Sequence, residues 1–293
     1  MPLPHVLVAL VIGFIFGLTF VVIEVGLDSF PPILMSALRF MIAGWPFLIF
    51  YRHPGVPWRY VFAAAFLFGV CQFGFLFVGM DLGMPAGLSS LVLQVQAVFT
   101  VLLAIVLLGD RPRRLQWIGM VIAFAGIAAI ALSKDQSSSL IGLILVIAAA
   151  ASWGGFNIVM KKAHPQDLLR FMVWVCSLPV VPLLLISWVW EGRAEIEAAI
   201  TGLDGLGLGC ILYLALLSTT TGFGLWGWLM KRHDASKVAP VSLLVPVFGM
   251  SLAAGLLGER FGAFEALGAA LVALGLVLNF WKSPKRASAT DRA

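Results

Sequence analysis

The polar side chains inside the long apolar stretches of this chain are mainly amides and hydroxyls, and no carboxylate lies near the centre of a stretch. Amides and hydroxyls donate and accept hydrogen bonds without carrying charge, so they suit non-covalent binding of a small polar molecule. Polar groups at membrane depth are costly and indicate either function or bonding between helices. We predict that the binding residues are Thr19, Gln72, Phe75, Gln94, Trp153, Asn157, Trp226 and Ser242.

Asn157 follows Trp153 by four residues, which places both on one face of a helix. Trp153 would supply an aromatic wall and Asn157 an amide donor and acceptor. Thr19 occupies roughly the corresponding place in the first half of the chain, which favours a binding role. The alternative is that Asn157 only bonds a neighbouring helix.

Two further stretches carry glutamines. Gln94 and Gln96 are two residues apart and point about 200° from each other on an α-helix, so we expect only one, preferably Gln94, to face a cavity. Gln72 lies among phenylalanines, with Phe75 on roughly its own face. For Gln72, lining a cavity and bonding between helices are equal alternatives.

The last part of the chain offers an aromatic and hydroxyl face and two prolines. Trp226 follows Phe223 by three residues and Thr219 by seven, and either lines a pocket or packs. Ser242 adds a hydroxyl in the next stretch. Pro240 and Pro246 each remove a backbone donor and free a carbonyl, which predicts helix flexing during gating or kinks tolerated by packing.

Several chemistries find no residues to support them. The four histidines lie in four separate polar segments, and neither H-E-x-x-H nor G-x-S-x-G is present, so we expect no enzyme. A P-loop is missing too, and we expect no metal and no cofactor. Glu24 is the best remaining proton carrier, but we expect it to pair with Arg39 instead. Ion channels use rings of charged side chains or filters of backbone carbonyls. The uncharged centre of this chain therefore favours a carrier over a channel.

The elements that position these residues follow from composition. The chain is 61% hydrophobic and 11% charged, too apolar for a soluble globule. Its charges separate runs of about 20 apolar residues without period-2 alternation, which indicates membrane-spanning helices. We predict an all-α polytopic membrane protein with ten helices, at 5–26, 32–51, 58–80, 86–108, 115–133, 139–160, 168–190, 206–230, 238–257 and 263–282.

The distribution of charge predicts the orientation. With the N-terminus inside, 15 of the 19 Lys and Arg residues fall on the inner side, and the positive-inside rule then places both termini in the cytoplasm. The net charge of +5 is therefore a topology signal, and we expect no nucleic acid partner. The expected partners are the lipid bilayer and a small-molecule substrate, with the chain a monomer or a homodimer.

A repeat organises the chain. Gly109-Asp110-Arg111, Gly119 and Gly126 recur 149 residues later as Gly258-Glu259-Arg260, Gly268 and Gly275. Five helices per half is an odd number, so the second copy would insert inverted, as in carriers that work by alternating access. We predict repeat 1 over 1–135, repeat 2 over 136–283 and a cytoplasmic tail over 284–293. Three G-x-x-x-G patterns, which begin at Gly13, Gly83 and Gly205, predict close contact between helices.

The chain resembles the drug/metabolite transporter superfamily, in its ten-helix EamA branch. The resemblance rests on Leu38-Arg39-Phe40-Met41, its echo at 170–172, the two Gly-Asp/Glu-Arg turns, and the stretches 83–94 and 238–247. Those two stretches are similar to bacterial exporters of O-acetylserine and cysteine; other members export aromatic and neutral amino acids. Relatives often have Trp-Gly in the first helix, where this chain has Phe16-Gly17, but Trp153-Gly154 keeps the tryptophan.

The resemblance implies a bacterial inner-membrane carrier that exports amino acids and related small metabolites by alternating access. Cysteine or O-acetylserine, and neutral amino acids such as phenylalanine, methionine and threonine, are the expected substrates. Export driven by the substrate gradient suits a centre without carboxylates. An exporter of drugs or lipophilic metabolites is the alternative, which the aromatic content of 12% also suits.

Overall fold

The described residues of the computed structural model are 2–51, 53–132, 139–233 and 238–280. They form helices without strands, and eight helices are long and apolar enough to cross a membrane. These are Leu3–Leu27 (α1), Pro32–Ile49 (α2), Trp58–Asp81 (α3), Ala86–Leu108 (α4), Arg114–Ala131 (α5), Leu140–Ala163 (α6), Leu168–Trp190 (α7) and Gly205–Arg232 (α8). The protein is therefore a polytopic membrane protein, as predicted.

Two shorter apolar helices, Val241–Leu257 (α9) and Ala263–Asn279 (α10), lie at the last two predicted spans. A short 3₁₀ helix, Ala239–Leu243, leads into α9. A further helix, Arg193–Thr201, joins α7 to α8 and was not predicted. The predicted tail, 284–293, lies outside the described residues.

Prolines and side-chain caps begin the helices. Pro32 stands at the start of α2, and Pro57 and Pro85 immediately precede α3 and α4, where a missing backbone donor costs nothing. Asp167 and Asp204 cap α7 and α8 by accepting hydrogen bonds from the backbone of Arg170 and Gly207, respectively.

Three helices contain stretches of π-helix: Ala65–Gln72 in α3, Tyr213–Gly222 in α8 and Ala253–Leu257 in α9. The sequence repeat has a spacing of 149 residues. When 149 is added to the residue numbers of the first stretch, the result is 214–221, which lies inside the second stretch. A π-helix has more residues per turn than an α-helix, so a side chain can reach the carbonyl five residues earlier. The Thr219 hydroxyl donates to the Leu214 carbonyl (2.8 Å), and the Thr220 hydroxyl donates to the Ala215 carbonyl (3.0 Å). Such stretches often occur at functional sites.

The repeated glycines lie where α5 crosses α10. A Cβ on Gly119 would come 2.6 Å from the Gly275 carbonyl oxygen, and one on Gly126 would come 2.7 Å from that of Gly268. The contacts are reciprocal and run in opposite order along the two helices, so the helices are antiparallel. Their backbones approach too closely here for any side chain.

The G-x-x-x-G predictions divide by position. Gly13 and Gly17 face α9 closely, because a Cβ would lie 2.8 Å from the Leu244 Cβ and 2.6 Å from the Phe248 Cβ, respectively. The prediction is wrong for Gly205 and Gly209, where a Cβ would meet nothing within 4 Å. The pattern provides a small surface but does not specify which helix faces it.

The predicted Glu24–Arg39 ion pair is also wrong. Among the described residues, the ion pairs within 4 Å are Lys161–Asp110, Arg170–Asp167 and Arg193–Glu197. Arg39 lies about two turns inside α2, fully buried among aromatic rings rather than in an outer connection. One carboxylate oxygen of Glu24 is buried without a hydrogen bond.

Candidate functional site

A cavity of about 540 Å³ lies between the helices. Its wall comes mainly from α1, α3, α4, α6, α8 and α9, the six helices that carry the predicted binding residues, with single residues or pairs from α5, α7 and α10. None of the described residues that line it is charged. Its polar groups are amides and hydroxyls, set among aromatic rings and aliphatic side chains.

Seven of the eight predicted binding residues line this cavity: Thr19, Gln72, Gln94, Trp153, Asn157, Trp226 and Ser242. Phe75 does not, and its side chain is 37% exposed. On an α-helix Leu76 and Phe73 stand about 40° and 100° to one side of Gln72, whereas Phe75 stands about 60° to the other. Phe73 and Leu76 form the wall instead.

Asn157 both lines the cavity and bonds a neighbouring helix. Its Nδ2 donates to Gln96 Oε1 (2.7 Å) and to Thr100 Oγ1 (3.0 Å) on α4. Thr100 in turn donates to the Gln96 backbone carbonyl (2.7 Å). The two alternatives for Asn157 are thus compatible, because the bonds to α4 fix the amide at the cavity surface.

The expectation that only one of Gln94 and Gln96 faces the cavity is wrong, since both line it. The reason is the 3₁₀ stretch Leu93–Val95, which advances about 120° per residue. The rotation of about 200° expected for an α-helix leaves the two side chains about 160° apart, and the 3₁₀ stretch reduces this angle to about 120°. Gln96 accepts from Asn157, and Gln94 donates to the backbone carbonyl of Ser242. The pair joins α4 to α6 and to the beginning of α9.

Thr19 belongs to a hydroxyl pair that the sequence identified only in part. Its Oγ1 is placed 2.9 Å from Ser218 Oγ and 2.8 Å from the Ile15 carbonyl oxygen. Ser218 lines the cavity, whereas its neighbour Thr219 does not. The π-helical stretch decides which hydroxyl turns inward, and periodicity alone does not reveal it.

Gln72 is buried, and its Oε1 has no hydrogen-bond partner. A buried amide oxygen without a partner is costly, typically about 1–3 kcal/mol. Gln72 lines the cavity, but this oxygen is itself buried within the wall, so a donor on a bound molecule would reach it only after a neighbouring side chain moves. Gln72 ends the π-helical stretch of α3, where the helix returns to α geometry.

Of the two predicted gating prolines, Pro246 is not among the described residues that line the cavity. Pro246 is buried inside α9, next to the wall residue Val245. Pro240 lies in the 3₁₀ helix Ala239–Leu243, and its side chain lies outside the described part of the molecule. Other residues of the wall that the sequence did not single out are Phe16, Ser90, Gln116, Phe156 and Asn279.

The cavity extends toward one end of the bundle. We call the end where α1 begins the Leu3 end, and the end where α1 finishes the Leu27 end. Wall residues Met160, Leu168 and Met230 lie near the Leu3 end, where α6 and α8 finish and α7 begins. At the Leu27 end, two carboxylates hold helix N-termini.

Glu259 and Glu191 are these carboxylates. Glu259 accepts from the backbone N–H groups of Ala86 (2.7 Å) and Gly87 (3.1 Å) at the start of α4. Glu191 accepts from Ile33 (2.5 Å) and Leu34 (3.0 Å) at the start of α2. A negative charge suits a helix N-terminus, whose N–H groups have no partner within the helix.

The surroundings of Glu259 act on its ionisation in both directions. Burial raises the pKa of its carboxyl above the ordinary value, the hydrogen bonds from Gly87 and Ala86 lower it, and the charge of Glu265 raises it. The net direction is upward, which is the sign of a carboxylate withdrawn from solvent.

Comparison with known proteins identifies the family. The model of the EamA-like transporter family matches the chain twice, over residues 3–132 and 140–281. The chain belongs to the EamA-like transporter family. The resemblance noted in its sequence is thereby confirmed, and the family description agrees with the transporter that the resemblance implied.

Several EamA relatives match nearly the whole chain. One from Escherichia coli (strain K12), named "Probable amino-acid metabolite efflux pump", is 37% identical over 92% of this chain and 93% of its own. One from Streptantibioticus cattleyicolor, named "Probable terminal-alkyne amino-acid exporter", is 27% identical over 88% and 87%. A solved structure matches with a TM-score of 0.62 at 20% identity, over 92% of this chain and 95% of that one, which shows a shared fold.

Proposed function

We propose that this protein is an inner-membrane carrier that exports amino acids and related small metabolites by alternating access. Phenylalanine, methionine, threonine, cysteine and O-acetylserine are the substrates that we would test. The observation that carries the proposal is the uncharged, amide-rich cavity, whose volume of about 540 Å³ lies within the range of small-molecule sites. The names of the two relatives described above support the substrate class.

The binding site in this proposal consists of Thr19, Gln72, Gln94, Trp153, Asn157, Trp226 and Ser242, with Gln96 and Ser218 added from the structure. Amides and hydroxyls provide hydrogen bonds for the charged groups of a zwitterion. Aromatic rings such as Trp153 and Phe73 accept the variable side chain. A carrier needs this mixture because it must hold a polar molecule in an apolar membrane.

We further propose that the chain crosses the membrane ten times as two inverted repeats, with both termini in the cytoplasm. The displacement of 149 residues recurs in the structure: in the π-helical stretches of α3 and α8, and in Gly109 and Gly258, which both have φ 71° and ψ 19°. The family model also matches the chain in two successive segments. Inverted repeats produce two related conformations, which is the basis of alternating access.

The conformation described here would face the cytoplasm. Its cavity extends toward the Leu3 end, whereas Glu259 and Glu191 hold helices together at the Leu27 end. Export would then release substrate when these bonds open and the Leu3 end closes, with the helices flexing at Pro240 and Pro246. The described wall offers no carboxylate to carry a proton, so we propose that the substrate gradient drives transport.

Uptake of radiolabelled amino acids into liposomes that contain the purified protein tests this function. The five amino acids are compared without an ion gradient, for the wild type and for Asn157→Ala. Loss of the amide removes two hydrogen bonds at the cavity surface, so we expect uptake to fall about tenfold. Ser152→Ala is the matched control, because Ser152 lies on the same helix, bonds only the Ala148 carbonyl (2.8 Å) and does not line the cavity.

One observation favours a second function, the export of drugs or lipophilic metabolites. Aromatic rings occupy much of the wall, from Phe16 and Phe20 on α1 to Phe223 and Trp226 on α8. If none of the five amino acids enters, even after a proton gradient is imposed, the amino-acid proposal is overturned. Uptake of a lipophilic dye by the same liposomes would then support the second function.

A further inference from the structure

Arg39 is a buried cation without a counter-ion within 4 Å among the described residues. Its side chain is fully buried in α2, and only Nη2 has a hydrogen-bond partner, Thr219 Oγ1 at 2.7 Å. Nε and Nη1 have none, which leaves three N–H groups unused. Arginine keeps its charge in proteins, so burial in an apolar membrane without an anion is expensive.

Aromatic rings partly compensate this charge. The guanidinium carbon lies 4.0 Å from the centre of the Phe73 ring and 5.1 Å from that of Phe40. A ring face stabilises a cation less than a charged, hydrogen-bonded partner does in the same surroundings. The arrangement therefore holds the charge and leaves its preferred partner, an anion, unbound.

Phe73 separates Arg39 from the cavity. One face of the ring carries the guanidinium, and Phe73 also lines the cavity wall. Thr219, the hydrogen-bond partner of Arg39, lines a second cavity of about 720 Å³ between α2, α7 and α8. Arg39 thus lies behind single residues of two cavity walls, which share Leu168, Met172 and Phe223.

Gln72 supplies the complementary group. It is adjacent to Phe73 in the chain, lines the same cavity, and its Oε1 is an acceptor without a partner. This acceptor is buried within the wall, and the unused guanidinium donors lie behind the Phe73 ring; together they match the two charged ends of an α-amino acid. Carboxylates are the anions that the guanidinium fork binds best, because its planar donors match both oxygens.

We propose that Arg39 binds the carboxylate of the substrate once Phe73 has turned aside, while Gln72 Oε1 accepts from the substrate ammonium group. The proposal rests on the amino-acid exporter function described above, and names the residue that selects α-amino acids within it. Phe73 is then a shield that keeps the cation out of the empty cavity. Molecules without a carboxylate cannot replace the ring as a partner for Arg39.

The test is competition against radiolabelled phenylalanine uptake by phenylalanine or by phenylalaninamide, which lacks the carboxylate. If another amino acid is the better substrate, it and its amide replace this pair. We expect the wild type to prefer the acid by about tenfold or more. Arg39→Gln should reduce that preference to near one, and Arg39→Lys should retain part of it. Arg170→Gln is the matched control, because Arg170 is an exposed arginine paired with Asp167 and should leave the preference unchanged.

The preference between acid and amide separates binding from a structural role. An Arg39 that only stabilises the fold would lower binding of both competitors equally, and an unchanged preference in Arg39→Gln overturns the proposal. If Arg39→Gln fails to fold, Phe73→Leu decides: removal of the shield should lower the KM for phenylalanine, and an unchanged KM overturns the proposal. If the wild type takes up amino acids but does not prefer the acid over the amide, only the proposed role of Arg39 is refuted. If it takes up none of the amino acids, the exporter function is refuted, and this inference with it.

Discussion

Two turns with nearly the same sequence do different things in this molecule. Gly109 and Gly258 end α4 and α9 with the same left-handed backbone, and the glycines that follow each turn meet where α5 crosses α10. The acidic residues differ. Asp110 pairs with Lys161 at 2.9 Å on a half-exposed surface, whereas Glu259 is partly buried and accepts hydrogen bonds from the N-terminus of α4.

The comparison distinguishes the features that the two turns share from the contacts in which they differ. The backbone turn is the same in both places, and glycines from both sides form one crossing, so these features have a structural role. Glu259 bonds the backbone of α4 at the Leu27 end, whereas Asp110 pairs with an exposed side chain of α6. In the proposed transport cycle, Glu259 would therefore contribute to closing the Leu27 end, and Asp110 would not contribute to closing the Leu3 end.

Removal of the Glu259 carboxylate should have the largest effect. Glu259→Ala leaves two N–H groups of α4 without their charged acceptor, and each such bond contributes about 1.5–3 kcal/mol. We expect the closed Leu27 end to open at least about tenfold more often. The measurement is labelling of Phe20→Cys, a cavity-wall position toward that end, by an impermeant maleimide applied outside cells.

The control for this experiment is Asp110→Ala in the same background. Cys71 is replaced by serine beforehand, because it is partly exposed whereas Cys176 and Cys210 are buried. Faster labelling in Glu259→Ala alone supports the contrast between the two turns. Equal labelling in both variants would show that the turns are equivalent and that the hydrogen bonds of Glu259 do not control access.

The shared glycine crossing should show the next largest effect, on stability. Gly126→Ala places a Cβ 2.7 Å from the Gly268 carbonyl oxygen, so we expect a cost of about 1–3 kcal/mol in the free energy of unfolding. Gly209→Ala is the matched control: that glycine lies in α8 with nothing within 4 Å, and alanine should be neutral or stabilising by up to about 1 kcal/mol. Thermal unfolding in detergent compares them, and equal melting temperatures would contradict the crossing.

The fold followed largely from the sequence because each helix is a separate apolar run between polar connections. The predicted span 86–108 has the bounds of α4, and 58–80 differs from α3 by one residue. Helix Arg193–Thr201 escaped prediction, since a short surface helix has no long apolar run. The π-helical stretches also escaped, because a shift in hydrogen-bond register depends on packing rather than on composition.

Residue type predicted which side chains contribute to the site better than helix geometry predicted which of them face the cavity. Uncommon amides among apolar residues identified Gln72, Gln94 and Asn157, all of which line the cavity. Errors arose where the helix departs from α geometry, as for Gln96, or where a small angular offset decides, as for Phe75. The burial of Arg39 was missed because a charge near a helix end and one two turns inside it look alike in sequence.

The Asp110–Lys161 pair should have the smallest effect of the three. Both side chains are about half exposed, and pairs of this kind contribute about 0–1 kcal/mol because solvent screens them. Asp110→Asn should therefore lower the melting temperature slightly at low salt, and not at all near 1 M salt, where charges are screened within about 3 Å. A Lys161→Met variant and the double variant complete a cycle that isolates the pair. If Asp110→Asn instead lowered the melting temperature as much as Glu259→Ala does in the same assay, and still did so at high salt, Asp110 would also hold a helix in place. The two turns would then differ only in their surroundings.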